Sequence, residues 1–372
     1  MELSQEVYSI IVRHVGTRSD LNSLCRVSKR FRREAEKALY NTLHLRGQAR
    51  SVSICNVLNH APRLALLVEA LSVFVEGGDS EEDDEEDDSD IDMGSESSYS
   101  DDFWTTVASA LRQTTKLRFL SVYLERVGQS QHAWILDGCT FQLRTFHSDF
   151  DWDHHLETFL RSQTSLHDLY LADYMTPGCP ASSRTPFYNT SPPLPSLSML
   201  ECTLSEAAVA LVPGRPVERV KTCFSKTKVE DKRAELRALL LGLRRSKKPL
   251  RTLDLADDVY QSSFTLELVA AIDRILAGKH KLRYLGTLVY PVDPSEVSVK
   301  SLSNKIGPEF ELLLLACRLL HSSHAFAPLA MFGARSHRMG PSADDASRAA
   351  VSHLRAPYIL PESRSGSVCL RL

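Results

Sequence analysis

One short apolar pattern recurs along this chain and limits what the chain can become. An apolar residue is followed after two variable positions by a second, and often by a third two positions later. It appears as Leu117-Arg-Phe-Leu120-Ser-Val122, Leu143-Arg-Thr-Phe146, Leu166-His-Asp-Leu169-Tyr-Leu171, Leu197-Ser-Met-Leu200-Glu-Cys202, Val217-Glu-Arg-Val220, Leu250-Arg-Thr-Leu253-Asp-Leu255 and Leu282-Arg-Tyr-Leu285. The starts lie 26, 23, 31, 20, 33 and 32 residues apart. Alternation of this kind is the period of a strand with one buried face. Between the patterns, apolar residues recur at three and four over Leu156 to Arg161, Val229 to Arg244 and Leu266 to Leu276, which is the spacing of a helical face. Strand then helix, repeated, predicts an α/β fold with a parallel sheet, because a parallel neighbour is reached only through a crossover. Each such unit leaves its apolar face bare unless the next unit stacks on it.

Intervals of this size approach the ~20 to 29 residues of leucine-rich repeats, and the pattern resembles that class with looser spacing. The resemblance implies an irregular leucine-rich-repeat-like solenoid over residues 47–300, whose elongated surface suits the gripping of another protein. The asparagine that follows the strand in regular repeats is missing, so an irregular ladder is expected. The alternative is an open mixed α/β domain without solenoid geometry. Thr42 to Leu45, then Ala61-Pro62-Arg63-Leu64-Ala65 running into Val68 to Val75, reads as a divergent first repeat.

The first 46 residues have a different character. A helix is expected from Ser4, its N-cap, to Val15, with Gly16 at the place where helices commonly stop. On a helical projection Leu3, Val7, Tyr8, Ile10, Ile11, Val12 and Val15 spread over an arc of about 200°, whereas a helix burying one stripe needs only ~100°. Asp20 is placed to cap a second helix bearing Leu21, Leu24 and Val27, and Ser28 a third bearing Phe31, Ala35, Ala38 and Leu39. Modules of ~40 residues cannot bury enough surface to be robust alone. The surplus face of the first helix is therefore expected to dock, onto the rest of the chain or onto another protein.

In order and spacing, Leu3-Ser4-Gln5-Glu6 with Ile10 and Ile11, Asp20-Leu21-Asn22-Ser23-Leu24, Val27-Ser28-Lys29-Arg30-Phe31-Arg32 and Ala38-Leu39-Tyr40 resemble the F-box. The proline usual at the second position of that family's opening is here Ser4. The bridge after it resembles the segment that follows the F-box in fungal-type members. The resemblance implies a substrate-recognition subunit of a Skp–cullin–F-box ubiquitin ligase. Its first helices would bind the Skp-type adaptor, and through it a cullin, while the repeats hold a protein substrate of unknown identity. On the family's pattern Leu3, Ser4, Val7, Ile10, Ile11, Leu21, Leu24, Val27 and Phe31 form the adaptor surface or its immediate support. Three rivals remain: an ordinary helical cap on the repeats, a repeat scaffold unrelated to ubiquitin, and a helix-turn-helix DNA reader with Arg26, Lys29, Arg30, Arg32 and Arg33 on phosphates. Glu34 and Glu36 interrupt that last surface.

Charge and cysteine usage set the remaining bounds. Residues 79–92 carry eleven acidic side chains and no basic ones, so without them the formal charge moves from -3 to +8. Like charges with few apolar neighbours cannot pack, and 77–101 is expected to be a disordered insert. Nothing in the composition calls for nucleic acid or a membrane. The eight cysteines are nowhere closer than 21 residues, which excludes close-spaced zinc or redox motifs and fits a reduced cytoplasmic or nuclear protein. Asp151-Trp152-Asp153-His154-His155 looks metal-like, yet adjacent histidines at a helix start point about 100° apart; no metal and no cofactor are expected. The common catalytic templates find no match, so an enzyme is not expected. Glu309 to Leu320 suits a capping helix within 301–321, and 322–372 is expected to be a poorly ordered tail.

Overall fold

The computed structural model describes residues 4–75, 101–124, 132–172, 193–257, 262–276, 282–286, 288–291 and 367–370. It opens with α1 (Gln5–Arg13), α2 (Arg18–Val27) and α3 (Lys29–Tyr40). β1 (Thr42–Arg46), α4 (Gln48–His60), the short α5 (Pro62–Ala65) and β2 (Ala70–Phe74) come next. Then follow α6 (Asp101–Gln113), β3 (Phe119–Tyr123), a 3-10 turn (Ala133–Leu136), β4 (Thr145–Ser148), α7 (His154–Ser162), β5 (Asp168–Leu171) and β6 (Met199–Cys202). The last units are α8 (Ser205–Leu211), β7 (Arg219–Cys223), α9 (Val229–Arg244), β8 (Thr252–Ala256), α10 (Ser262–Leu276) and β9 (Tyr284–Leu285). The nine strands β1 to β9 form one sheet in chain order, and every neighbouring pair is parallel.

All seven repeats of the apolar pattern fall on strands, and each strand starts two residues after the first apolar member. That first residue, from Leu117 to Leu282, is buried just ahead of the strand. The second member forms a ladder across the whole sheet: Leu43, Leu71, Leu120, Phe146, Leu169, Leu200, Val220, Leu253 and Leu285 stand side by side in register, all buried. A second inward row runs Leu45, Val73, Val122, Ser148, Leu171, Cys202, Thr222 and Leu255. These rows meet the helices in a single continuous core that runs from Leu43 to Leu285. Consecutive helices also touch: α4 and α6, α6 and the 3-10 turn, that turn and α7, α8 and α9, α9 and α10.

Several boundaries differ from expectation. The segment read as one divergent repeat contributes two strands, and β1 belongs to the sheet although it falls within the first 46 residues. α4, α6 and α8 fall outside the three helical spans picked out in the sequence, although they fit the expected alternation of strand and helix. α4 is rich in small polar residues and fully buries only Ser51, Cys55 and Leu58, so its apolar stripe is thin. Asp101 starts α6 instead of ending the acidic insert, because acids in a first helical turn are favoured by the helix dipole. The rest of that insert and the capping helix at 301–321 lie outside the described residues. So does the tail, except that β11 (Ser367–Leu370) pairs antiparallel with β10 (Leu288–Pro291), where Val368-Cys369-Leu370 gives a short apolar run. No helix among the described residues is long and apolar enough to cross a membrane.

Leu169 is flanked on both sides in register by buried neighbours, Phe146 and Leu200. Leu169→Ala, at the middle rung, is expected to lower unfolding stability by about 2–5 kcal/mol, read from the urea midpoint at constant slope. A loss below about 1 kcal/mol would mean that β4 to β6 can close over the gap.

Candidate functional site

The three N-terminal helices share a small core of their own. α1 and α2 each rest on α3, and Val12, Leu21 and Ala35 are buried, with Val15, Leu24, Cys25, Phe31 and Leu39 packed around them. The ring of Tyr8 meets Phe31 edge-on, centroids 4.7 Å apart. Ser28 caps α3 as expected, its hydroxyl accepting from the Phe31 N–H at 3.2 Å. The expected cap of α2 is corrected. Thr17, not Asp20, holds that place: its Oγ1 accepts from the Asp20 N–H at 3.1 Å and donates to Asp20 Oδ2 at 2.8 Å. Thr17-Arg-Ser-Asp20 has the spacing of a capping box, in which the hydroxyl leads and the acid follows three residues later. Ser4 sits at the head of α1 in extended conformation, but its side chain caps nothing. Ala38 is exposed and does not join the buried face.

α3 fastens the trio to the sheet. Arg63 Nη2 donates to Glu36 Oε1 at 2.9 Å, and Arg32 Nε donates to the same oxygen at 3.1 Å. The Arg63 guanidinium holds the Glu36 carboxyl below the usual carboxylate range. Tyr40 packs against the main core. α1 packs against α3, and its apolar residues divide between two faces. Val12 points into the small core at 4% exposure, while Val7, Ile10 and Ile11 stand outward at 36%, 54% and 37%. Positions 7, 10 and 11 are related by three and four residues and share one helix face. Val27, at 64%, is exposed at the end of α2. Of the remaining residues in the F-box resemblance, Leu21 is buried, Leu24 and Phe31 are half-buried supports, Ser4 is exposed, and Leu3 lies outside the described residues.

A second feature is the sheet face opposite the core rows, which no sequence period announced. Phe74 and Tyr123 stack with centroids 5.8 Å apart and planes 16° apart. Tyr123 is 6.0 Å from Tyr170, Tyr170 is 5.9 Å from His147, and His147 is 5.8 Å from Phe119. The five rings thus span β2 to β5 and cover Ser72 and Ser121, which are buried beneath them. The signal was present as alternate positions within each pattern, but only the register between strands brings these rings together. Asp149 follows Tyr123 in the same row, and its Oδ2 accepts from the Leu124 N–H at 2.6 Å. Burial, with Asp151 adding repulsion, pushes the Asp149 carboxyl up to about 6. Asp168 lies 3.6 Å from His147 Nε2. One oxygen of each, Asp149 Oδ1 and Asp168 Oδ1, is buried without a hydrogen-bond partner among the described residues.

The expectation that His154 and His155 diverge is also corrected. Their ring centroids are 3.7 Å apart, and ligand atoms of Asp153, His154 and His155 lie within 4.8 Å of one another. Side-chain rotation at a first helical turn closes the angle between the two Cβ directions. Two of these groups have structural partners: Asp153 Oδ1 accepts the Leu156 N–H at 2.8 Å as the N-cap, and His155 Nδ1 meets Asp137 Oδ2 at 2.7 Å. The dipole at a helix start opposes a cation there. The described cysteines are free thiols, and burial pushes those of Cys55, Cys139 and Cys202 up to about 12, far from the thiolate a nucleophile needs.

No protein-family model matches this chain, and no curated protein matches it in sequence.

The raised Asp149 carboxyl has a measurable consequence. Below its ordinary value of 3.8 the group is neutral in both folded and unfolded chains, and as pH rises through about 6 the folded chain must carry a buried carboxylate, so stability falls. Asp149→Asn keeps an acceptor for Leu124 without the charge. It is expected to be more stable than the wild type by about 1–3 kcal/mol at pH ~7.5, with the gap closing below pH ~4, in paired urea titrations. Equal stability at both pH values would show that the carboxylate is compensated.

Proposed function

We propose that this chain is the substrate-receptor subunit of a Skp–cullin–F-box ubiquitin ligase. α1 to α3 form the F-box and present the Val7–Ile10–Ile11 face to the Skp-type adaptor. The nine strands with their helices form an irregular leucine-rich-repeat-like solenoid that holds the protein substrate. The observation that carries the proposal is the exposed apolar face of α1 on a helix whose opposite side is already buried. A helix spends two apolar faces only where two surfaces meet it, and α3 accounts for one. The strand order supports the solenoid half, since units that touch only their neighbours in sequence are the mark of repeat stacking. Such a receptor performs no bond chemistry. It raises the effective concentration of a substrate lysine at the transferring enzyme.

The double substitution Val7→Asp with Ile10→Asp is expected to abolish co-purification with the Skp-type adaptor, a weakening of about 100-fold or more, because two carboxylates would have to be buried in an apolar contact. The unfolding transition should be unchanged, since both side chains face solvent in the free chain. Leu21→Ala should instead lower stability. If the wild-type chain never retains the adaptor, the repeats serve a scaffold with no link to ubiquitin.

A further inference from the structure

The five-ring layer on β2 to β5 already seats one cation. Arg46 Cζ lies 5.2 Å from the centroid of Phe74, at the β1 end of the stack. The charge changes sign toward the other end. Beyond Tyr123 the row continues to Asp149, and below His147 stands Asp168, whose side chain is 26% exposed. Next to Tyr170 in register is Glu201, paired with Lys221 on β7. The charged or titratable groups at outward positions of this face are Arg46 and His44 on β1, His147 within the layer, the carboxylates Asp149 and Asp168, the Glu201–Lys221 pair and, farther along the sheet, Arg219 on β7 and Asp254 on β8. Around Tyr123, Tyr170 and His147 the net sign is negative. Asp149 Oδ1 and Asp168 Oδ1, buried without a hydrogen-bond partner among the described residues, contribute to that potential.

Three classes of occupant meet this surface differently. An aliphatic segment would cover the rings but desolvate the carboxylates without repayment. A nucleic acid could stack its bases, yet its phosphates would approach Asp149 and Asp168. A cationic side chain gains from both the ring faces and the carboxylates, and a planar guanidinium can lie flat on the rings as an ammonium cannot. We infer that the ring layer of β2 to β5 binds an arginine-bearing segment of a partner protein, with the guanidinium over Tyr123, Tyr170 and His147 and its charge answered by Asp168 and Asp149. This rests on the receptor function proposed above, with the segment belonging to the substrate, but it is tested without the adaptor.

The probe is a fluorescein-labelled twelve-residue peptide of four Gly-Arg-Ser units, titrated with the full-length chain by fluorescence anisotropy at physiological salt. Matched peptides carry Lys, Gln or Glu in place of Arg. The arginine peptide is expected to bind about 10-fold or more tightly than the glutamine peptide, and more tightly than the lysine peptide. Tyr170→Leu and Asp168→Asn should each weaken it about 5- to 10-fold. Asp168→Asn is nearly isosteric, so its effect cannot be ascribed to misfolding. Replacing residues 79–92 by a Gly-Ser segment should preserve the arginine-over-lysine preference. Equal binding of the arginine and glutamine peptides overturns the inference. So does loss of binding on replacing 79–92 with Tyr170→Leu and Asp168→Asn silent, which would assign the peptide to the acidic run. A labelled oligothymidylate that binds tighter than the arginine peptide and is lost with Tyr170→Leu overturns it too, in favour of a nucleic-acid surface. Adaptor retention is measured separately, so any of these failures leaves the proposed function standing.

Discussion

A repeated main-chain contact holds this sheet in register. The carbonyl of the residue just before a strand accepts two successive N–H groups at the entry to the next strand. Asn41 O accepts from Glu69 and Ala70, Glu69 O from Arg118 and Phe119, and Arg118 O from Arg144 and Thr145. The series continues through Arg144, His167, Ser198 and Glu218 to Arg251, whose carbonyl takes Arg283 and Tyr284, all at 2.7–3.1 Å. Because these bonds involve only backbone, they tolerate the uneven spacing of the apolar pattern along the chain. Extra residues are accommodated between strands, while the entry to each strand is pinned to the one before. A slip of one residue would send every inward side chain to the other face.

From that pinning the two faces follow. The ladder from Leu43 to Leu285 is buried because each member has the same neighbour relation. The rings of Phe74, Phe119, Tyr123, His147 and Tyr170 meet for the same reason on the opposite face. Side-chain contacts reinforce the backbone at single joints. Gln163 Oε1 accepts the Leu143 N–H at 2.8 Å and Gln142 Oε1 the Thr164 N–H at 2.9 Å, each reaching from one repeat to its neighbour. Ser246 Oγ has the carbonyls of Val217, at 2.8 Å, and Arg215, at 3.0 Å, within reach of its single proton.

The inward half of the fold was legible in the sequence and the outward half was not. Leucines spaced at three and two mark a buried strand face, and all seven such marks lie on strands. Tyr40-x-x-Leu43-x-Leu45 and Val68-x-x-Leu71-x-Val73 have the same form, and the single divergent repeat that they suggest in the sequence contributes two strands. Outward positions obey no pattern, because solvent accepts Thr145, Asp168 or Arg219 with equal ease. That five rings fall together depends on which strand lies beside which, a fact held in the pairing and not in any window of sequence. The helix starts show the same limit on a smaller scale. Ser28 was readable as a cap, while at Thr17 and Asp20 two residues competed for one role and only geometry separates them.

The way α3 enters β1 joins the two surfaces. α3 ends at Tyr40 and β1 begins at Thr42, leaving only Asn41 between them, and the Asn41 carbonyl is the first in the series that pins the strands. Its N–H is also tied back to the Lys37 carbonyl at 3.0 Å. These bonds on both sides hold Asn41 at the junction, and the Arg63–Glu36 pair links α3 to α5 beside it. The outward face of α1 and the ring layer of β2 to β5 are thus joined by one continuous path: α1 on α3, α3 into β1, β1 beside β2. On the proposed function this matters more than the affinity of either surface. A receptor accelerates transfer by holding substrate at a fixed place relative to the ligase, and flexibility at the junction would dilute the effective concentration that a bound substrate experiences.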